Sequence, residues 1–201
     1  MPRKPQPPAA LRPGAEPWLP LETPRLILRD VGETDFDDIH AYATDLEVVR
    51  YMNWGPNTRR VTRGVLNRWL KDQRRWPRAI VNMAAQHKVD GRMIGAVRFA
   101  IVDPPSLTCD FGYSFNRAYW NQGYATEAAG ALVDLAFSRL GMRRVFATCD
   151  ARNTGSWRVM EKLGMRREAL FKQDIAAHDG WRDSYLYAIL AEEWRANSPA
   201  A

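Results

Sequence analysis

One turn in the sequence combines small residues with the start of a long helical pattern. Asn121-Gln-Gly-Tyr-Ala125 follows a strand-like run and opens residues 124–140, where apolar side chains recur at helical spacing. The first amides of a helix lack an intrahelical acceptor and its dipole adds partial positive charge, so such a turn is typical of phosphate binding. A tight turn without a ligand is the alternative, since Gly123 permits either. The glycines and lysine of P-loop and dinucleotide motifs are missing, which argues against an ATPase or a nicotinamide enzyme.

A second turn, Asn153-Thr-Gly-Ser156, carries a side-chain amide and a hydroxyl. If Asn153 caps the helix that follows, Ser156 lies on its apolar stripe, together with Val159, Met160 and Leu163. A buried hydroxyl needs a hydrogen-bond partner, which is either a backbone carbonyl group or a ligand. The spacing leaves both alternatives open, and it makes Ser156 a candidate site residue.

Three carboxylates on or near predicted strands are candidate general bases. They are Asp110, Asp150 and Asp174. Each also fits the commoner role of a solvated surface charge. The three histidines have no Ser or Cys partner at a recognisable spacing, so a hydrolase triad is not predicted. Two cysteines, with no Cys/His spacing typical of a metal site, lead us to expect no metal.

Hydrophobic periodicity predicts the elements that position these residues. Helices are predicted from 35 into the forties and at 60–75, 124–140 and 154–163. Strands are predicted at 25–29, 79–88, 93–102, 107–115, 144–149, 168–175 and 185–190. The turn signals Val89-Asp-Gly-Arg92 and Asp103-Pro-Pro-Ser106 separate the second, third and fourth strands, which predicts an antiparallel meander.

Length and composition favour one globular domain over residues 21–195 of the 201. A hydrophobic fraction of 46% and a charged fraction of 26% exclude disordered, collagen-like and coiled-coil chains. Seven of the thirteen prolines fall in residues 1–20, which predicts a disordered arm there, and 196–201 is predicted to be a C-terminal tail. With no apolar run of membrane-spanning length and no signal-peptide pattern, we expect a cytoplasmic protein.

The net charge is +6, from 29 Lys and Arg against 23 Asp and Glu. This excess favours an anionic partner, which could be nucleic acid, a ribosome or a phosphorylated cofactor. The sign of the charge does not choose among them.

Several ordered blocks together resemble the GNAT acetyltransferases, in particular their RimJ/RimL-type branch, the ribosomal-protein-alanine N-acetyltransferase-like proteins. The central blocks are Asp110-Phe-Gly-Tyr113, Tyr119-Trp-Asn-Gln-Gly-Tyr-Ala-Thr-Glu-Ala128, Asn153-x-x-Ser156 and Glu161-Lys-Leu-Gly164. The opening Thr23-Pro-Arg-Leu-Ile-Leu-Arg29 and the end, from Asp183-Ser-Tyr-Leu-Tyr187 to Glu193-Trp194, are similar too. The resemblance spans about residues 20–195.

The resemblance implies an α/β fold with a mixed sheet of about seven strands, helices on both faces and a splay between the central parallel strands. It implies acetyl-CoA as co-substrate, without a metal, bound in that splay. The pyrophosphate would lie on the backbone amides of Gln122, Gly123, Tyr124, Ala125 and Thr126. Phe115 would contact the pantetheine arm through its backbone, and Asn153 and Ser156 would contact the pantetheine or its thiol end.

Two positions depart from the wider superfamily. Trp120 replaces an Arg or Gln that precedes the turn, which is usual for this branch. Met160 stands where many members have the tyrosine that protonates the leaving thiolate. Methionine cannot donate that proton, so the resemblance makes Ser156 the best substitute acid, with water as the fallback.

Attack on a thioester requires a neutral amine, whereas an alkylammonium has a pKa near 10.4 and must first lose a proton. Asp110 is the first candidate base and Asp174 the second. A backbone amide near Phe115 would hold the oxyanion.

The resemblance implies a primary amine as acceptor, in the first place a protein or peptide N-terminus. The alternative is a small molecule such as an antibiotic, a polyamine or an amino acid. We expect the contacts of the acceptor around residues 54–76 and 176–182. A basic, non-catalytic module that binds acyl-CoA, RNA or the ribosome is the alternative of another class. No membrane or direct nucleic acid partner is required, and a homodimer remains open.

Overall fold

One mixed β-sheet forms the centre of the structure, a computed structural model that describes residues 19–75, 78–177 and 180–197. Within these residues the strands are β1 (Leu21–Glu22), β2 (Leu26–Asp30), β3 (Ile80–His87), β4 (Met93–Asp103), β5 (Thr108–Phe115), β6 (Arg144–Asp150), β7 (Arg166–Ala177) and β8 (Gly180–Leu190). They lie in the order β1-β2-β3-β4-β5-β6-β8-β7. Neighbouring strands are antiparallel except β5 and β6, which are parallel. The predicted mixed sheet and its meander of β3, β4 and β5 are confirmed.

Helices cover both faces of the sheet, as predicted. They are α1 (Phe36–Ala43), α2 (Leu46–Val49), α3 (Arg59–Asp72), α4 (Tyr124–Ser138), α5 (Thr154–Lys162) and α6 (Ala191–Asn197). Successive strand residues point to opposite faces. Met83 accordingly packs in the larger core with residues of α4 and α5, and its neighbour Ala84 packs in the smaller core with residues of α1 and α3.

The parallel strands β5 and β6 pair over a short distance and then separate. Their register covers Thr108 opposite Arg144, Cys109 opposite Val145 and Asp110 opposite Phe146. Beyond these pairs β5 continues to Phe115 and β6 to Asp150 without pairing to each other. The predicted splay is therefore present, and it opens a gap in the middle of the sheet.

Some elements differ from the sequence-based expectation. The two-residue strand β1 and the four-residue helix α2 are too short to show a periodicity, so the sheet has eight strands where seven were expected. Strands β7 and β8 begin earlier than predicted. The first residues of both strands are exposed, so the sequence there lacks the apolar alternation from which a strand is predicted.

The predicted arm and tail can be compared with the structure only in part. The predicted arm, apart from Leu19 and Pro20, lies outside the described residues, and so do residues 198–201 of the predicted tail. Helix α6 extends to Asn197, two residues beyond the predicted domain end. No helix in the described ranges is long and apolar enough to cross a membrane.

Candidate active site

The turn before α4 has the geometry of an anion cradle. Gly123 precedes the helix with φ +84° and ψ 0°, a left-handed conformation that strains any other residue. The amide of Glu127 donates to the carbonyl oxygen of Gly123 at 3.0 Å, which is the first hydrogen bond of the helix. The amides of Tyr124, Ala125 and Thr126 therefore have no acceptor within the helix. Such amides, together with the helix dipole, are the groups that bind phosphates at helix N-termini.

A clamp from the segment between β1 and β2 holds this turn in place. Arg25 donates from Nη1 to the carbonyl oxygen of Gln122 at 2.8 Å and from Nε to Oε2 of Glu127 at 2.6 Å. Thr23 also donates to Glu127, at 2.6 Å. Burial would raise the pKa of Glu127, but the hydrogen bonds from Thr23 and Arg25 outweigh burial and lower that pKa, so the carboxylate stays ionised. Sequence reasoning did not find this clamp, because Arg25 and Glu127 lie 102 positions apart.

The hydroxyl of Tyr124 anchors the same turn from the other side. It lies 2.9 Å from Nε2 of His87, whose Nδ1 lies 2.9 Å from Oδ2 of Asp90. Tyr119 donates to the same carboxylate at 2.8 Å. His87 thus orients the side chain of Tyr124 at the turn. In this Asp90–His87–Tyr124 arrangement the tyrosine stands where a hydrolase triad has its nucleophile.

Phe115 ends β5 at the edge of the splay, as expected. Its carbonyl oxygen accepts a hydrogen bond from Nε1 of Trp120 at 2.8 Å. Trp120 therefore fixes the end of the strand on which the predicted pantetheine and oxyanion contacts depend. Nothing in the local sequence pattern indicates this indole contact.

Ser156 and Tyr113 meet across the splay. Asn153 caps α5, as predicted, and its side chain accepts from the amide of Ser156 at 3.1 Å. The hydroxyl of Tyr113, on β5, donates to the carbonyl oxygen of Ser156 at 2.9 Å and lies 3.2 Å from its Oγ. The sequence predicted a partner for the serine hydroxyl but not its identity.

The groups around Ser156 keep their protons. Burial raises the pKa of Tyr113, and the hydrogen bond with Ser156 only partly opposes this shift. Burial also raises the pKa of Cys149 to about 11, again opposed by a hydrogen bond with Ser156. Met160, which stands at the family's tyrosine position, is 0% exposed and lies in the larger core. The proton donors near the splay are therefore Ser156, Tyr113 and Cys149.

The two predicted bases lie near the cavity wall but are not among the residues that line it. Both carboxylate oxygens of Asp110 accept from Nη1 of Arg98 at 3.0 Å. Asp174, which is exposed on β7, accepts from the hydroxyl of Ser184 at 2.6 Å. Arg98 itself lines the cavity. The structure thus brings Asp110 into contact with a cavity residue.

Asp150, the third carboxylate, does line the cavity. Its side chain is 2% exposed and accepts from Nη2 of Arg152 at 2.9 Å, while Nε of Arg182 lies 3.6 Å away. Burial would raise the pKa of Asp150, but the contacts with Arg152, with a smaller contribution from Arg182, lower it below its ordinary value. This carboxylate is ionised and its charge is compensated.

A cavity of about 710 Å³ leads from the α1–α3 side of the sheet to the splay. At the splay it is lined by Tyr113, Cys149, Asn153 and Ser156. The two regions predicted to contact the acceptor both contribute, with Trp54 and Trp69 on one side and Arg182 on the other. Trp76, His178 and Asp179, within those predicted regions, lie outside the described residues.

The described ranges hold no group of three His, Cys, Asp or Glu side chains that could bind a metal ion. The chemistry at the splay is that of hydroxyl, thiol, amide and backbone groups.

Comparison with known proteins agrees with this geometry. The model of the acetyltransferase (GNAT) domain family matches residues 25–166. The chain is 34% identical over 175 residues to the uncharacterized N-acetyltransferase YnaD of Bacillus subtilis, covering 87% of this chain and 98% of that protein. A crystal structure of a GNAT family acetyltransferase from Bacillus anthracis superposes with a TM-score of 0.76 at 34% identity, covering 86% of this chain and 98% of that one.

A more distant relative is the ribosomal-protein-serine acetyltransferase of Escherichia coli. It is 26% identical over 103 residues, which cover 51% of this chain and 58% of that protein. The family uses acetyl-CoA. The chain therefore belongs to the GNAT acetyltransferase family, as an acyltransferase enzyme with N-acetyltransferase activity.

Proposed function

We propose that the protein acetylates the primary amine of a small molecule that occupies the cavity. The observation that carries this proposal is the cavity itself, whose volume of about 710 Å³ lies within the range of small-molecule sites. A long peptide substrate would need an open groove across the sheet in order to bind. Here α3 forms one wall of the cavity and the hairpin of β7 and β8 contributes Ile175 and Arg182 to the same cavity.

In the proposed reaction, acetyl-CoA supplies a thioester at the splay, and the chain orients it. The amides of the α4 turn would bind its pyrophosphate, and Asn153 would contact the pantetheine arm. A free amide near Phe115 would stabilise the oxyanion. Holding amine and thioester together contributes several kcal/mol of rate acceleration by removing the entropic cost of their encounter.

Ser156 is the proposed acid that protonates the leaving sulfur. Its hydroxyl faces the cavity beside Tyr113, which is positioned to fix the serine rotamer and to share its proton. Tyr113 is neutral at physiological pH, because burial keeps its pKa above the ordinary value. This pair would replace the tyrosine that Met160 cannot supply.

Asp110 remains the first proposed base and Asp174 the second. Asp110 is favoured by its position. It lies on the same face of β5 as Gly112 and Ser114, which line the cavity. Asp174 is held by Ser184 on an exposed part of β7. Asp150, whose burial would raise its pKa but whose contacts with Arg152 and Arg182 lower it, would instead hold these two guanidinium groups at the cavity wall.

A peptide N-terminus is the second candidate acceptor. It is favoured by the resemblance to the RimJ/RimL-type branch, by the similarity to the ribosomal-protein-serine acetyltransferase and by the net charge of +6, which suits approach to an RNA-rich particle. Proteins of this branch and small-amine acetyltransferases carry the same motifs.

A turnover screen separates the two candidates. Release of CoA is measured with acetyl-CoA and matched concentrations of polyamines, aminoglycosides, amino acids and N-terminal peptides. Faster acetylation of a small amine than of any peptide supports the proposal. Faster acetylation of the peptides would overturn the small-molecule assignment while leaving the acetyltransferase activity intact.

A further inference from the structure

Two buried polar side chains in the cavity have no partner. Asn82, on β3, is 9% exposed, and Tyr42, on α1, is 3% exposed. Both line the cavity. Within the described residues nothing hydrogen-bonds to the carboxamide of Asn82 or to the hydroxyl of Tyr42. Neither group is a fully enclosed polar atom without a partner, so the carboxamide of Asn82 and the hydroxyl of Tyr42 face the open space of the cavity. Both groups are therefore available to hydrogen-bond a ligand there.

The ligand group that fits this place is uncharged and can both donate and accept. A carboxamide such as that of Asn82 offers an N–H donor and a carbonyl acceptor. Burial raises the pKa of Tyr42, so its hydroxyl stays protonated and adds a donor. Arg98, which lies opposite Asn82 on β4, is already paired with Asp110. A carboxamide on the acceptor therefore matches the site better than an ion does.

The sheet register supplies a distance from this place to the reaction centre. Asn82 lies opposite Arg98 on β4, and Arg98 lies opposite Gly112 on β5. Neighbouring strands are about 4.8 Å apart, so two spacings separate Asn82 from Gly112 by roughly 10 Å. Gly112 lines the cavity beside Tyr113, at the edge of the splay where the thioester would be attacked.

We propose that Asn82 and Tyr42 form a second acceptor subsite, which binds a carboxamide on an elongated amine about 10 Å from the nitrogen that is acetylated. This inference rests on the proposed function, because it assumes that the amine reaches the splay through this cavity. A small ω-amino amide and the peptide group of an extended N-terminal segment share this chemistry. An extended chain covers about 1.2 Å per bond, so eight bonds, or three residues of peptide, bridge the distance.

A chain-length series tests the proposal. The substrates are ω-amino amides with one, four or seven methylene groups between amine and carboxamide, each with an alkylamine of equal length as its control. An alanine tripeptide that is capped at its C-terminus supplies the same amide chemistry from a peptide. The preference for amide over alkylamine, as a ratio of kcat/KM, is measured for each pair. We expect the largest preference at seven methylene groups.

Three variants identify the residues responsible. Asn82→Leu and Tyr42→Phe should each reduce the preference at seven methylene groups by about fivefold to a hundredfold, the effect of leaving one buried group unpaired. Asn67→Leu makes the same substitution at an exposed asparagine of α3 that does not line the cavity, and should leave the preference unchanged. The melting temperature of each variant checks its folding, and a variant that does not fold is replaced by Asn82→Ser.

The possible outcomes separate the two proposals. A preference that is independent of chain length, or that survives at Asn82→Leu and Tyr42→Phe, overturns the subsite while the small-amine function stands. Failure of the wild-type enzyme to acetylate any member of the series, while peptides of more than three residues react, overturns both. A preference seen only with the tripeptide keeps the subsite and assigns it to peptide substrates.

Discussion

The hydroxyl of Tyr113 should be needed for turnover but not for binding of acetyl-CoA. In the structure this hydroxyl makes two contacts with Ser156, at 2.9 Å to the carbonyl oxygen and 3.2 Å to Oγ. Tyr113→Phe removes both contacts and keeps the ring. If Ser156 protonates the leaving sulfur, loss of its hydrogen-bonding neighbour leaves the serine hydroxyl free to rotate away from the reacting atoms.

The expected magnitude follows from the two contacts. A neutral hydrogen bond contributes about 0.5–1.5 kcal/mol, and the longer contact to Oγ falls at the lower end. Together they give about 1–2 kcal/mol, which corresponds to a fall in kcat of about fivefold to thirtyfold. The KM for acetyl-CoA should change little, because the pyrophosphate is proposed to bind at the α4 turn, where Tyr113 makes no hydrogen bond to any described residue.

The assay is steady-state release of CoA, with calorimetric binding of CoA as a second readout. Tyr187→Phe is the matched control, because Tyr187 is also buried and its hydroxyl donates to Glu161, away from the cavity. In a double-mutant cycle, Tyr113→Phe and Ser156→Ala should be strongly non-additive, since both remove one unit. An unchanged kcat for Tyr113→Phe, or full additivity with Ser156→Ala, would refute the reasoning.

Three further predictions concern the turn and the cavity wall. Gly123→Val should abolish CoA binding measured by calorimetry. Gly141→Val is the control, because it imposes the same left-handed strain, at φ +64°, away from the α4 turn and should leave CoA binding intact. Equal CoA binding by both variants would contradict the proposed anion site at Gly123. Glu127→Gln removes the anionic partner of Arg25 and should weaken CoA binding by about threefold to tenfold, the value of one charge-assisted contact near a surface; an affinity equal to wild type would show that the clamp does not order the turn. The pKa of Asp150 is lowered in the folded protein, so the stability that its ionised form contributes is present above pH 3.8 and is lost as the pH falls through the lower folded value. Acid unfolding of Asp150→Asn, followed by circular dichroism, should therefore depend less steeply on pH below about pH 4. The same pH dependence in this variant and in the wild type would exclude this contribution.

Features that depend on neighbouring residues could be predicted from the sequence. The cap at Asn153, the inward position of Ser156 and the turn at Gly123 each depend on spacing within a few residues. The antiparallel meander was predicted in the same way, from turn residues between apolar runs. The splay was implied by the family resemblance, because no local pattern distinguishes a parallel pair that separates from one that continues.

The partners of these residues could not be predicted, because they come from distant parts of the chain. A helical pattern shows which face Ser156 occupies but not which strand lies opposite that face. Tyr113 is 43 positions away, and the contact exists only because β5 and β6 separate beyond Asp110.

The same reasoning explains why Tyr42 and Asn82 carry no signal in the sequence. Tyr42 lies on the apolar face of α1, and Asn82 interrupts a buried strand, so each taken alone resembles an ordinary structural residue. Only the packing of α1 against the sheet brings both to one cavity. The cavity wall thus presents two polar groups that no described residue pairs with. A bound acceptor can hydrogen-bond to them, so the selectivity of the enzyme for its amine should depend on these two side chains. The choice among amines of equal basicity should then follow the position of their second polar group.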